Sequence, residues 1–136
     1  MAESIRKKIG LVSCGGEGCV EGTISRVATR LVLEKLRPHE TVTICLPLFL
    51  AGGVEERGFA REYPTITIDG CDKSCAKIGT ERYSGKIASS IVITDLTKSW
   101  NCASSRSRRK LDNETLAVAE KVAERIAEEV DKITEH

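Results

Sequence analysis

Four short runs rich in Ile, Val and Thr set the main constraint on this chain: KIGLVS (Lys8 to Ser13), TVTICL (Thr41 to Leu46), TITID (Thr65 to Asp69) and SIVITD (Ser90 to Asp95). Runs of this length and composition read as strands in central rather than edge positions. Between the first two, Ile24, Val27, Ala28 and Leu31 recur at helical spacing, and Pro38 follows as a stop, so a helix is expected near Thr23 to Arg37. VEERGFARE (Val54 to Glu62) gives a weaker helix, because Gly58 costs about 1 kcal/mol against alanine. The clearest helix runs from Asp112 to Thr134, where Leu116, Ala119, Val122, Ile126 and Val130 form one stripe behind an Asp112 or Asn113 cap. Strands alternating with helices imply parallel pairing. Right-handed crossovers then favour the strand order 2-1-3-4, the flavodoxin-like arrangement. The expected fold class is therefore α/β, a parallel sheet of about four strands flanked by helices, forming a single domain over residues 1–136.

A chain of 136 residues buries roughly two thirds of its unfolded surface, so neither disulfide nor metal is required for folding. Net charge is +1 with 30% charged residues, a balance that calls for neither nucleic acid nor an anionic membrane. The longest apolar run, Ile44 to Val54, holds a proline and two glycines and falls far short of the ~20 residues of a membrane span. MAESIRKKIG lacks the apolar stretch of a signal peptide, which points to a cytoplasmic protein. In that compartment six cysteines are kept reduced, and metal binding or catalysis explains them better than disulfides do.

Their positions sharpen that reading. Cys14 follows the first strand directly, Cys45 lies at the end of the second, and Cys71 stands two residues beyond the third. In a parallel sheet all carboxyl ends lie on one edge, which is where open α/β proteins bind ligands. With strands one and three adjacent at ~4.8 Å, the loop CGGEGC (Cys14 to Cys19) faces CDKSC (Cys71 to Cys75), and Cys45 approaches from the other side. A tetrahedral zinc site with Zn–S bonds of ~2.3 Å needs sulfurs within ~4 Å of one another, which adjacent strand-end loops can supply. If Cys71 starts a helical turn, Cys71 and Cys75 share one face with Cβ atoms ~5–6 Å apart and form one arm of a chelate. The glycines of CGGEGC release the backbone for a sharp curl, with the next helix beginning at Gly22 or Thr23, and helix starts at both loops favour thiolate charge. Lys73, Lys77 and Arg26, if nearby, would offset the charge of a tetrathiolate. The plain alternative is that cysteine packs as a small hydrophobe. It suits Cys45 in its apolar run and Cys102, but explains three loop thiols at strand ends poorly.

Rival motifs are weaker. Gly16, Gly18 and Gly22 form a GxGxxxG string that departs from the dinucleotide fingerprint, and TVTICLPL supplies no acidic residue for a ribose. CASSRSR (Cys102 to Arg108) has the spacing of a phosphatase loop, yet no helix begins until about Asp112 to stabilise a thiolate there. RSRRK (Arg106 to Lys110) reads as solvated surface, and His39 and His136 stand beside a proline turn and at the chain end.

TIDGCDKSC carries a further signal. With its Asp69, Gly70 and Cys71, and with the upstream ICLPLFLAGG, the sequence resembles the DGC-domain family, to which zinc binding is attributed on the strength of its cysteines. The resemblance covers most of the chain up to Cys75. It implies a four-cysteine ligand set that falls here on Cys14, Cys45, Cys71 and Cys75, while local spacing favours Cys19 over Cys45. Where the family tends to show a CLAG-like string, this chain has CLPLFLAGG. Zinc is the expected metal and an iron–sulfur cluster the second, since thiolates alone do not separate them. The expected role is a metal-binding accessory or interaction module for a protein partner. The alternative is a thiol-dependent enzyme or carrier that moves a methyl group, sulfur or redox equivalents through a zinc-bound or free thiolate.

Overall fold

The structure is a computed structural model, and it describes residues 8–16, 18–100 and 111–135. Four parallel strands form one sheet in the order β2-β1-β3-β4: β1 Ile9–Ser13, β2 Thr41–Thr43, β3 Thr65–Asp69 and β4 Ser89–Val92. The architecture is thus the α/β sheet with order 2-1-3-4 that the alternation predicts. β1 and β3 are the inner strands, with Leu11 of β1 opposite Thr43 of β2 and Ile66 of β3. β2 and β4 form the edges, so the central position that composition suggests for all four holds for two, because an open sheet must end in two edge strands. Alternate residues face opposite sides of the sheet.

Ile9 and Leu11 of β1, Ile66 and Ile68 of β3, and Ile91 of β4 therefore point to one side, into the larger core. That side is covered by helix α1 (Val20–Leu31) and by α7 (Asn113–Thr134), whose stripe of Val122, Ile126 and Val130 is fully buried. Asp112 caps α7 by accepting from the Thr115 N–H at 2.8 Å, as the sequence suggests. On the other side the short helices α2 (Leu46–Leu50), α3 (Val54–Arg57) and α4 (Phe59–Glu62), with α5 (Cys75–Tyr83), cover a smaller core of Val12, Phe59 and Ala76.

Several boundaries differ from the sequence reading, each for a local reason. The second strand ends at Thr43 rather than Leu46, because Pro47 is pre-shaped for a first helical turn and α2 begins at Leu46. The fourth spans Ser89–Val92, and Ile93, Leu96 and Trp100 continue at helical spacing in α6 (Ile93–Trp100), packed against the larger core. The first helix starts at Val20, earlier than Gly22, because Val20 is itself buried. It continues past Leu31 as a π-helical segment, Val32–Leu36, where the Arg37 N–H bonds back to Val32 O at 2.8 Å. Gly58 divides the Val54 to Glu62 segment into α3 and α4. Cys102, the Arg106 to Lys110 run, His136 and the first seven residues lie outside the described residues. No helix among the described residues is long and apolar enough to cross a membrane.

Candidate functional site

All four strands run the same way, so the loops after β1, β2 and β3 meet at the carboxyl edge of the sheet. Each brings a cysteine. Cys14 continues β1, its N–H donating to Ile68 O at 2.9 Å and extending the β1–β3 ladder by one rung. Cys19 is the N-cap residue of α1 and Cys45 that of α2, neither with a side-chain capping bond. Cys71 lies two residues beyond β3, and Cys75 is the first residue of α5. All five are free thiols; Cys14, Cys19 and Cys71 are half-buried, whereas Cys45 and Cys75 are exposed.

Cys14 is the most closely held of them. Its sulfur accepts the Gly70 N–H at 3.4 Å and lies 3.5 Å from the buried Ser25 hydroxyl on α1. Ser25 Oγ donates its one hydrogen to Gly22 O at 2.6 Å and accepts from Gly15 N at 3.3 Å. A neutral Cys14 therefore donates its S–H to Ser25, and a deprotonated one keeps the Gly70 donor. The thiol after β1 is thus tied both to the glycine-rich loop and to the residue immediately before Cys71.

Two glycines make that approach possible. A Cβ on Gly70 would stand 2.6 Å from Gly22 N and 2.7 Å from Glu21 C, inside the first turn of α1. A Cβ on Gly22 would in turn run into the carbonyl oxygen of Gly16. Gly16, the start of α1 at Glu21 and Gly22, and Gly70 are consequently stacked backbone against backbone. Of the GxGxxxG string, Gly22 serves this packing, whereas a Cβ on Gly16 would meet only Cys14 Sγ at an ordinary 3.9 Å.

The Cys71–Cys75 segment differs from the sequence expectation. Cys71 does not start a helical turn: it opens a tight turn in which the Ser74 N–H reaches Cys71 O at 3.2 Å, and the helix begins only at Cys75. The cause lies at Ser74, which takes the left-handed conformation at φ 53° and interrupts any helix before it. The two thiols are therefore joined by a turn, not by a shared helical face.

Asp69 ends β3 with its side chain on the α5 side of the sheet, only 1% exposed. One carboxylate oxygen accepts the Ala76 N–H at 2.7 Å and the other the Lys77 N–H at 3.2 Å. It thereby caps α5 from a neighbouring strand, a service that Ser74 does not perform. Burial pushes its pKa up from the ordinary carboxylate value, and the two backbone donors together with Lys77 pull the other way. Asp69, Gly70 and Ser25 are residues that sequence reasoning left without a role. Asp69 stands seven positions before its partner Ala76, so no local capping pattern marks it.

The structure thus brings Cys14 beside the Asp69–Cys71 segment, with Cys75 one turn further on and with Cys45 and Cys19 at flanking helix starts. Among the described residues, no three Cys, His, Asp or Glu side chains are gathered closely enough to hold a metal ion. The donor set itself, five thiols and no imidazole, has the chemistry of a zinc or iron–sulfur site. A metal would need these thiols drawn closer together than they stand.

Comparison with known proteins adds one finding. A family model described as DGC domain matches residues 10–130, reaching past the cysteine segments and most of the way along α7. No curated protein and no solved structure matches the chain.

Proposed function

Because the chain belongs to the DGC-domain family, we propose that it is a metal-binding protein that takes one zinc ion through thiolates at the carboxyl edge of its sheet. The observation that carries this reading is the 3.4 Å contact between Cys14 Sγ and the Gly70 N–H, which links the first strand's thiol to the Asp-Gly-Cys segment. Cys14, Cys71 and Cys75 supply three ligands and Cys45 the fourth, following the family pattern, with Cys19 as its competitor. Zinc bound by four thiolates has no open position and organises the loops around it. The protein then acts as an accessory or interaction module, presenting a metal-fixed edge to a protein partner. An iron–sulfur cluster is the second candidate for the same thiols.

Five thiols at an edge that needs four keep one further reading in play. A thiol left over from coordination, or a reactive metal-bound thiolate, would serve an enzyme or carrier of methyl, sulfur or redox equivalents. Alkylation of the metal-loaded protein separates the two: one fast cysteine supports transfer chemistry, and uniform protection supports a closed site.

The primary test is metal analysis of protein purified without added metal, together with its absorption spectrum. Near-stoichiometric zinc in a colourless protein is expected. Protein without zinc or iron, with every thiol open to a thiol reagent, would refute the proposal. Cys14→Ser, Cys45→Ser, Cys71→Ser and Cys75→Ser should each weaken metal retention strongly, whereas Cys19→Ser should leave it intact. Loss in Cys19→Ser with full retention in Cys45→Ser would instead assign the fourth position to Cys19.

A further inference from the structure

The first turn of any α-helix has N–H groups without intrahelical acceptors, normally satisfied by a capping side chain just before it. In α5 the residue in that position, Ser74, makes no such bond, and Asp69 supplies both acceptors from the end of β3. Between the carboxylate and the helix lie only Gly70, Cys71, Asp72, Lys73 and Ser74. The bonds therefore close a short loop that contains Cys71 and ends on Cys75. Gly70, at the base of the loop, is fixed on both sides: its N–H meets Cys14 Sγ and its carbonyl accepts the Thr94 N–H at 3.1 Å.

We infer that Asp69 is the positioning residue of the thiol site: it is not a metal ligand, but clamps the Cys71–Cys75 turn to β3 so that both thiols are kept at the sheet edge where Cys14 lies before any metal arrives. This inference rests on the metal-binding reading above and goes beyond it by assigning the acidic member of the Asp-Gly-Cys segment a task. Both carboxylate oxygens accept from backbone N–H groups of α5 and the residue is only 1% exposed, so Asp69 faces the start of the helix as its cap. A buried carboxylate at a helix N-terminus is stabilised by the helix dipole as well as by the two bonds. Without the clamp, a turn that already holds Ser74 in a left-handed conformation opens, and the two thiols separate.

The test uses the full chain and has two arms. In metal-free protein, amide hydrogen exchange at Ala76 and Lys77 reads the clamp directly. Wild-type protection should match that of the α5 interior, and in Asp69→Asn, which has the same shape but turns an N–H₂ group toward one donor, it should fall about tenfold or more. Exchange at the rate of open loop amides in the wild type overturns the inference even if no variant folds. In the second arm, Co²⁺ titration is followed by the cobalt–thiolate absorption bands, with far-UV circular dichroism as a check on the fold. Asp69→Asn should bind Co²⁺ about 10–100-fold more weakly, with altered bands and an unchanged dichroism spectrum. Equal affinity and identical bands overturn the positioning role while leaving metal binding by the wild type intact. A wild type that takes up neither Co²⁺ nor Zn²⁺ overturns the metal reading, and this role with it.

Discussion

Gly70→Ala is the smallest change that tests whether the carboxyl edge is built by close backbone contact. The added methyl group would lie 2.6 Å from Gly22 N, 2.7 Å from Glu21 C and 2.9 Å from Gly22 Cα. Ordinary carbon contacts fall at about 3.5–4.0 Å, so the end of β3 and the first turn of α1 must separate by roughly 1 Å. No flexible side chain can yield, because every atom met is backbone. Gly22 cannot retreat either, since it is pressed against the Gly16 carbonyl. Overpacking of this kind costs about 1–3 kcal/mol. The upper end applies here, because the separation also strains the Gly70 bonds to Cys14 and Thr94. Against a total stability of ~5–15 kcal/mol, a loss of ~3 kcal/mol is large. For a chain of this size it lowers the melting temperature by about 10 °C.

Urea unfolding of the metal-free protein measures this effect, and Gly79→Ala provides the control. Gly79 lies within α5, where an added Cβ meets nothing within 4 Å. There alanine should stabilise by about 0.5–1 kcal/mol, through helix propensity and the loss of unfolded-state freedom. The two glycines are nine residues apart and should respond with opposite signs. A Gly70→Ala protein within about 0.5 kcal/mol of wild type would refute the argument that β3 and α1 meet backbone to backbone.

Two further outcomes follow from the same geometry. At Ser74, held at φ 53°, glycine should be at least as stable as serine and a valine variant less stable than glycine by about 1–3 kcal/mol, measured by urea midpoints. Arg37 donates to both carboxylate oxygens of Asp131, at 2.8 and 2.6 Å, and this holds the Asp131 pKa below the usual carboxylate range. A lowered folded pKa contributes stability above the unfolded value and loses it as pH falls through the folded one. Wild type should therefore exceed Asp131→Asn by roughly 0.5 kcal/mol near neutral pH, a modest figure because the pair is partly exposed, and the gap should close below about pH 4. A gap that persists in acid would show that the pair does not act through charge.

The sheet was legible because buried parallel strands leave an unmistakable residue pattern, and Ile66 and Ile68 against Thr65 and Thr67 show both faces in one run. Strand order followed from connection rules alone, and the convergence of Cys14, Cys45 and Cys71 on one edge followed from strand order. What the sequence hid depended on single residues changing the chain's direction. Pro47 turns the second strand into α2, so that the strand ends three residues early, and SIVITD reads as one strand although its second half winds into α6. Ser74 stops a helical turn at Cys71 that spacing alone would allow.

The Asp-Gly-Cys segment shows the same division within three residues. Cys71 could be read as a thiol from its letter, because a cysteine just beyond a strand at the carboxyl edge of a sheet suggests its own chemistry. Gly70 and Asp69 could not, since the first matters through what its missing side chain lets approach, the start of α1, and the second through amides seven and eight positions away. Both act on the thiols without touching a metal: Gly70 brings β3 against the loop of Cys14, and Asp69 draws α5 back onto β3. Cysteines placed at the same strand ends of another α/β sheet would therefore share this chain's spacing but not its arrangement. Without a glycine to admit the first helix and a buried carboxylate to anchor the next, the thiols would have to gather against the entropy of two open loops, ~1–2 kcal/mol for each residue that the backbone must newly fix.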